Sequence, residues 1–433
     1  MKSTILAVIA ALTLTIPAHA QLSRSEQRAA DFAASDAAYG EALLERLVNQ
    51  NSGTLNLPGV RAVGQMMEAE LSQLGFEVRW VDMSATGRAG HVVATHRGNG
   101  RGKRILLIAH LDTVFEPTSP FQTYRREGTR AIGPGVGDDK GGMVVIIGAL
   151  RAMEAAGTLE DADVMVVLTG DEERIGAPSD VARADLIEAG RWADVALEYE
   201  NLAREGEQEF GTIARRSSAN WTLTTTGRAG HSSTVFSTGS GYGAIYEMAR
   251  ILDAFRRELP EANLTYNVGL VAGGTPATLA ASAESVSAVG KTNIIADSAV
   301  ARGDLRTLTA EQDARIRTAM QAIVDANLRG TDASIRFETS YPPMAPTEGN
   351  RALLARLNAV NRDLGFAELA EMDPARRGAA DSGWVAADVD TLGGLGASGG
   401  LAHADGEWID LSSLPRQAAR SAVLLSRLAR ERR

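Results

Sequence analysis

The chain has 433 residues, 44% hydrophobic and 23% charged, a composition that suits a soluble globular protein of two or three domains. A formal net charge of −10 argues against nucleic acid as a partner, because phosphate binding wants basic surface. There is no cysteine, so disulfides and thiolate ligands are excluded and any metal must be held by His, Asp and Glu.

Lys2, the apolar run ILAVIAALTLTI at 5–16 and the small-x-small sequence Ala18-His19-Ala20 read as a signal peptide over residues 1–20. The run is too short for a transmembrane helix, and no later segment approaches the needed length. A mature chain starting near Gln21 is expected in the periplasm or outside the cell, free of the membrane. An uncleaved N-terminal anchor is the alternative.

A helical segment follows at about 25–50, and Pro58 and Gly59 break the chain before a second helix at 60–74, capped by Gly75. Apolar runs then alternate with helical stretches: EVRWV, HVVATH, RILLIAH, a helix after Lys140, DVMVVLT and ADVALEYE. This alternation predicts an α/β fold with a largely parallel sheet flanked by helices. From 219 the character changes. Strands are expected at 219–226, 264–272, 284–289, 299–306 and 333–339, with helices at 241–259 and 309–328. That set predicts a compact α+β insert with both helices on one face. The Pro-rich YPPMAP at 341–346 leads back into the first domain. The division is therefore 1–20 signal peptide, 21–214 catalytic domain, 215–341 insert and 342–433 catalytic domain again.

In an open parallel sheet, ligands bind outside the carboxyl ends of the strands. Three apolar runs end there in metal-ligating types: RILLIA in His110-Leu111-Asp112, VMVVLTG in Asp171-Glu172-Glu173, and VALEY in Glu200. His110 and Asp112 are two apart, so they share a face, and Asp112 suits the orientation of a ligating imidazole. Asp138, in the glycine-rich loop GPGVGDDKGG at 133–142, could bridge two cations through its two oxygens. Taken alone, this loop favours helix N-capping by Asp138 and Asp139. Glu172 and Glu173 fit a solvated turn, or a pair in which one binds metal and the other takes a proton from water. His231 lies in a Gly-Arg-Ala-Gly-His-Ser-Ser turn and His403 follows the glycine-rich loop at 393–400, whereas His91 and His96 read as structural or surface residues.

HLDTV at 110–114, GPGVGDDKGG at 133–142, TGDEE at 169–173, EYE at 198–200, GRAGHSS at 227–233 and His403 occur in that order. Together they resemble the metallopeptidase family of bacterial glutamate carboxypeptidases, aminoacylases and succinyl-diaminopimelate desuccinylases, over nearly the whole mature chain. The resemblance implies two zinc ions per chain: His110 and Glu200 on one, Glu173 and His403 on the other, Asp138 between them. It implies Glu172 as general base and proton donor, Asp112 as the residue orienting His110, and the insert as a ferredoxin-like lid through which the chain forms a homodimer. His231 matches the residue that stabilises the oxyanion, often across the dimer. Asn293 and Arg306 match positions that grip the substrate carboxylate; a surface charge is the alternative for Arg306. The stretch Gly-Ala-Ala-Asp-Ser-Gly-Trp at 378–384 departs from the family's Gly-Gly-Thr-Asp turn, so the specificity pocket is not carried over.

The expected function is zinc-dependent cleavage of an amide next to a free carboxylate, releasing a C-terminal amino acid such as glutamate from a small peptide or N-acyl amino acid. An aminoacylase or dipeptidase with the same zinc site is the enzymatic rival, and a periplasmic solute-binding module the non-enzymatic one. A binding module has no use for a base such as Glu172 beside a full ligand set.

Overall fold

In the computed structural model, residues 22–433 are described, and the signal-peptide reading falls on residues outside them. The strand Arg104–His110 lies at the heart of a six-stranded sheet, buried at every position after Arg104. It pairs in parallel with Asp163–Thr169 on one side and Val195–Glu198 on the other, and Thr391–Leu392 extends the parallel set. Continuous Val, Leu and Ile runs suit such strands, because helices cover both of their faces. Gly90–His96 and Glu77–Asp82 add to the other edge antiparallel. The sheet is thus mixed, with a parallel centre. The segment joining those two strands holds only a three-residue 3-10 turn, Ser84–Thr86, too short for the crossover that parallel pairing requires.

Helix Lys140–Ala156 is apolar nearly all round and packs between the sheet and the helices Arg24–Ser35 and Ser413–Leu428. The opposite face is covered by Ala184–Trp192, whose Leu186 and Ala189 meet Leu106, Ile108 and Val167. Each such Leu or Ile contributes about 1.5–3 kcal/mol by leaving water. The single helix expected at 25–50 is two, Arg24–Ser35 and Ala37–Asn49. They break at Asp36, whose carboxylate accepts from Arg151 Nε and Nη2 at 2.7 and 3.0 Å. Pro58 and Gly59 do not precede the next helix but lie in its first turn, Leu57–Gln73, where a missing proline N–H costs nothing. The Asn56 side chain caps that turn by accepting from the Gly59 N–H.

The insert is an antiparallel sheet with Ser218–Gly227 between Ser298–Arg306 and Thr331–Tyr341. Alternate residues of Ser218–Gly227 are buried, so Trp221 and Leu223 face one side. Helices Ala244–Glu258 and Ala310–Asp325 cover that side with Met248, Ile251, Phe255, Ile316, Met320 and Val324. Val286–Ala288 stays out of this sheet and forms a hairpin with Ala277–Leu279. Among the described residues, no helix is long and apolar enough to cross a membrane.

Candidate active site

Parallel pairing in register brings three chain ends to one place. His110 pairs with Thr169, and Ile108 pairs with Glu198, so the turns after all three strands emerge side by side. Between them stands the loop that opens helix Lys140–Ala156. Asp138 is its centre: Oδ1 lies 2.9 Å from His110 Nε2, and Oδ2 lies 3.0 Å from His403 Nε2. Neither acid of this loop caps the helix. Asp139 occupies the cap position without a side-chain cap bond. Its Oδ1 is buried without a partner, while Oδ2 accepts weakly from the His110 N–H at 3.4 Å. N-capping is therefore not the role of this pair.

Asp112 is fully buried and holds the two turns together. Its oxygens accept from Thr54 Oγ1 at 2.6 Å and from the Glu172 and Glu173 N–H groups at 2.9 and 3.1 Å. His110 Nδ1 lies 3.4 Å from Asp112 Oδ1 and 3.1 Å from the Asp112 carbonyl oxygen, which fixes the ring and aims Nε2 into the site. Glu172 and Glu173 are not a solvated turn, since Glu172 is only 9% exposed. Beneath them, buried Arg183 pairs with Asp171 and Asp381 at 2.5 and 2.6 Å, and the Tyr341 hydroxyl donates to the Glu172 carbonyl.

Acids crowded without enough cations shift their proton affinities. Burial, with Glu200 and Glu173 nearby, holds the Glu172 carboxyl well above its usual range. Burial pushes Glu173 up as well, against the pull of His403. Glu200 rises to about 7, because burial and the nearby Glu198 and Asp138 outweigh Arg215. Burial works against protonated His110, but Asp112 and Asp138 raise its pKa well above normal. His403, beside Asp138 and Glu173, rises to about 11.

This donor set fits divalent metal. Ligand atoms of His110, Glu172 and Glu200 lie within 4.8 Å of one another, as do those of His110, Asp138 and Glu173. Glu173 Oε1 is buried without a partner, and His403 Nε2 lies 3.2 Å from Glu173 Oε2. His403 adopts a φ of 64°, a left-handed backbone that costs a non-glycine residue about 1–2 kcal/mol. Strain of this kind persists where surrounding structure imposes it, commonly at functional sites.

Three further residues at the site were given no role from the sequence. Glu407, almost fully buried, accepts from the N–H groups of Gly137, Asp138 and Gly135 at 2.7, 2.9 and 3.2 Å, and so shapes the Asp138 loop from across the chain. Arg215 bridges Glu198 and Glu200, 2.6 Å from each. Arg377 lines the same cleft, a space of about 170 Å³ bounded also by Asp138, Glu172 and Glu200. His231, Asn293 and Arg306 are not brought to this cleft. The segments that carry His231 and Asn293 run side by side, with the Ser232 N–H donating to the Asn293 carbonyl beside the His231–Ile294 pairing. His231 is exposed and bonds Ser233, and Arg306 pairs with Asp304 at 3.1 Å. His91 is buried between the Ala182 carbonyl and the Gly170 N–H, and His96 meets the Ala162 carbonyl; both are structural.

Residues 106–427 match the model of peptidase family M20/M25/M40. The chain belongs to that family. It is accordingly a hydrolase acting on peptide bonds. It is 27% identical over 388 residues to carboxypeptidase G2 of Pseudomonas sp. (strain RS-16), covering 88% of this chain and 87% of that protein. Its fold matches aminopeptidase PepT of Bacillus cereus ATCC 10987 with a TM-score of 0.69 at 18% identity, covering 93% of this chain and 99% of that one. It also matches a dinuclear metal-binding M20 peptidase of Bacillus subtilis with a TM-score of 0.62 at 16% identity, covering 91% and 98%. The M20 family is metal-dependent, and the His and carboxylate cluster offers the ligand types such a centre needs.

Proposed function

We propose that the chain is a two-zinc carboxypeptidase that cleaves an amide next to a free carboxylate and releases a C-terminal amino acid such as glutamate. The observation that carries this reading is the position of Asp138, with one oxygen on His110 and the other on His403. A carboxylate so shared suits a bridge between two cations, with Glu200 completing one ligand set and Glu173 the other. Zinc at such a site supplies Lewis acidity, polarising the scissile carbonyl and easing ionisation of water near neutral pH. Cobalt or manganese would also accept mixed His and carboxylate ligands.

In this reading Glu172 takes a proton from the attacking water and delivers it to the leaving amine nitrogen. The burial that raises its pKa suits a group that must hold that proton between the two steps. Asp112 keeps His110 in one orientation and ties the Glu172 backbone to it. His231 would stabilise the developing oxyanion, and Asn293 and Arg306 would hold the substrate carboxylate. None of the three lines the cleft of its own chain; closure of the insert would bring Arg306 onto the substrate carboxylate, and His231 would reach an active site across a homodimer. Sedimentation at micromolar concentration tests that dimer, and a monomer would count against it and against His231 acting across it. Support for carboxypeptidase over aminoacylase or dipeptidase chemistry comes from the likeness to carboxypeptidase G2 and from the arginines at the cleft. A periplasmic or secreted location follows from the N-terminal sequence alone, and recovery of a chain starting near Gln21 from the periplasm or medium would test it.

The Glu172→Ala variant tests the mechanism. It is expected to lower kcat by about 10²–10⁴ while leaving metal content intact. Retained activity would remove Glu172 from the role of base.

A further inference from the structure

Buried Arg215 and partly buried Arg377 both line the cleft, and only Arg215 is satisfied. Arg215 spends its donors on Glu198, Glu200 and the Gly378 carbonyl. Arg377, with 13% of its side chain exposed, has no hydrogen-bond partner for Nε or Nη2. Its nearest anion is Glu200 Oε2 at 3.6 Å, too far for a hydrogen bond, and that same oxygen already accepts from Arg215 at 2.6 Å. Nε and Nη2 form one edge of the guanidinium, the edge that engages both oxygens of a carboxylate; Arg104 uses it in this way on Asp194. Both donors of that edge are buried as well as unpaired; buried donors without an acceptor are costly, so an edge of this kind beside the reaction centre points to an anion that arrives with the substrate as the segment around Arg377 shifts to admit it.

We infer that Arg377 is a specificity-determining residue that receives a carboxylate carried by the substrate next to its scissile amide. This rests on the carboxypeptidase reading above and adds an anchor within the cleft of the same chain. The carboxylate could be the α-carboxylate of the released residue or that of an acidic side chain. Its position fits the sequence departure at 378–384, since Arg377 immediately precedes the stretch that differs from the family's turn.

The test compares the zinc-loaded wild type with Arg377→Gln and Arg377→Lys on N-acyl-glutamate and N-acyl-glutamine, with glutarate binding measured by calorimetry and metal content and Tm recorded for each. Arg377→Gln is expected to weaken glutarate binding about 10- to 100-fold and to act on substrate mainly through KM, with Arg377→Lys between it and the wild type. A fall confined to N-acyl-glutamate assigns Arg377 to the side-chain carboxylate, and an equal fall on both substrates assigns it to the α-carboxylate. Unchanged glutarate affinity, with both substrates within threefold of wild type, overturns the inference. A variant that lost metal or unfolded while Arg377→Lys matched wild type in glutarate affinity and in KM would overturn it equally, by making the residue a structural charge. If the wild type bound glutarate through Arg377 yet hydrolysed neither substrate, the carboxypeptidase reading would fail and the anion site would stand.

Discussion

Replacing Glu407 with alanine removes the carboxylate that organises the Asp138 loop from nearly 270 residues away in the chain. Three backbone N–H groups, those of Gly135, Gly137 and Asp138, lose their only side-chain acceptor. Each buried amide left unpaired costs about 1–3 kcal/mol. Two effects reduce the sum. Water can enter the vacated space, and the variant is relieved of a carboxylate whose burial raises its pKa to about 7. A net loss of about 2–4 kcal/mol is expected for the metal-free protein at pH 8, where Glu407 is ionised. Glu407→Gln keeps one oxygen for Gly137 and Asp138 but turns an NH₂ toward the Gly135 N–H, so about 1–2 kcal/mol is expected there. Urea denaturation together with exchange rates of the Gly137 and Asp138 amides reads the effect. Zinc affinity should fall in parallel by about 10- to 100-fold, as for other residues that orient metal ligands without touching the metal. An alanine variant within 0.5 kcal/mol of wild type, with those amides still protected, would refute the assigned role.

Arg215→Ala leaves Glu198 and Glu200 without their shared cation, and loss of one partner from a buried pair costs about 3–5 kcal/mol. Arg215→Lys should recover only part of this, because one ammonium cannot fork to both carboxylates; a fully stable alanine variant would show the bridge to be dispensable. The metal-free protein should also lose stability as pH rises. Glu200 and Glu407 keep protons up to about pH 7 in the folded chain, whereas unfolded they release them near 4.5, so their contribution is lost between those values. For Glu407 alone the difference corresponds to about 3 kcal/mol as an upper bound. His403, raised to about 11, carries the decline above the normal histidine range, reduced by its solvent exposure. Tm of chelator-treated protein should therefore be lower at pH 8.5 than at 5.5 and zinc should remove the difference; a flat or rising profile without metal would contradict this.

The ligand cluster was legible because parallel strands bring their carboxyl ends together, so His110, Glu172 and Glu200 could be placed near one another from strand ends alone. The insert was legible through alternation, as in Ser218–Gly227, where Ala219, Trp221, Leu223 and Thr225 are buried. Edge direction was not, since EVRWV and HVVATH read the same in either sense and only the short turn between them fixes the antiparallel choice. Glu407, Arg215 and Arg377 were invisible for another reason. Among 44 basic and 54 acidic residues, nothing local marks which few are buried, and their partners lie elsewhere in the chain. His231, Asn293 and Arg306 were suggested by motif alone, and a single chain does not bring them to the metal ligands.

Metal analysis of the purified protein, paired with hydrolysis of a panel of N-acyl amino acids before and after chelation, tests the central claim most directly. About two zinc ions per chain, with activity lost on chelation and restored by zinc, is the result expected from the shared Asp138 and its two histidines. A folded protein that binds no metal and retains its hydrolysis in chelator would contradict the account.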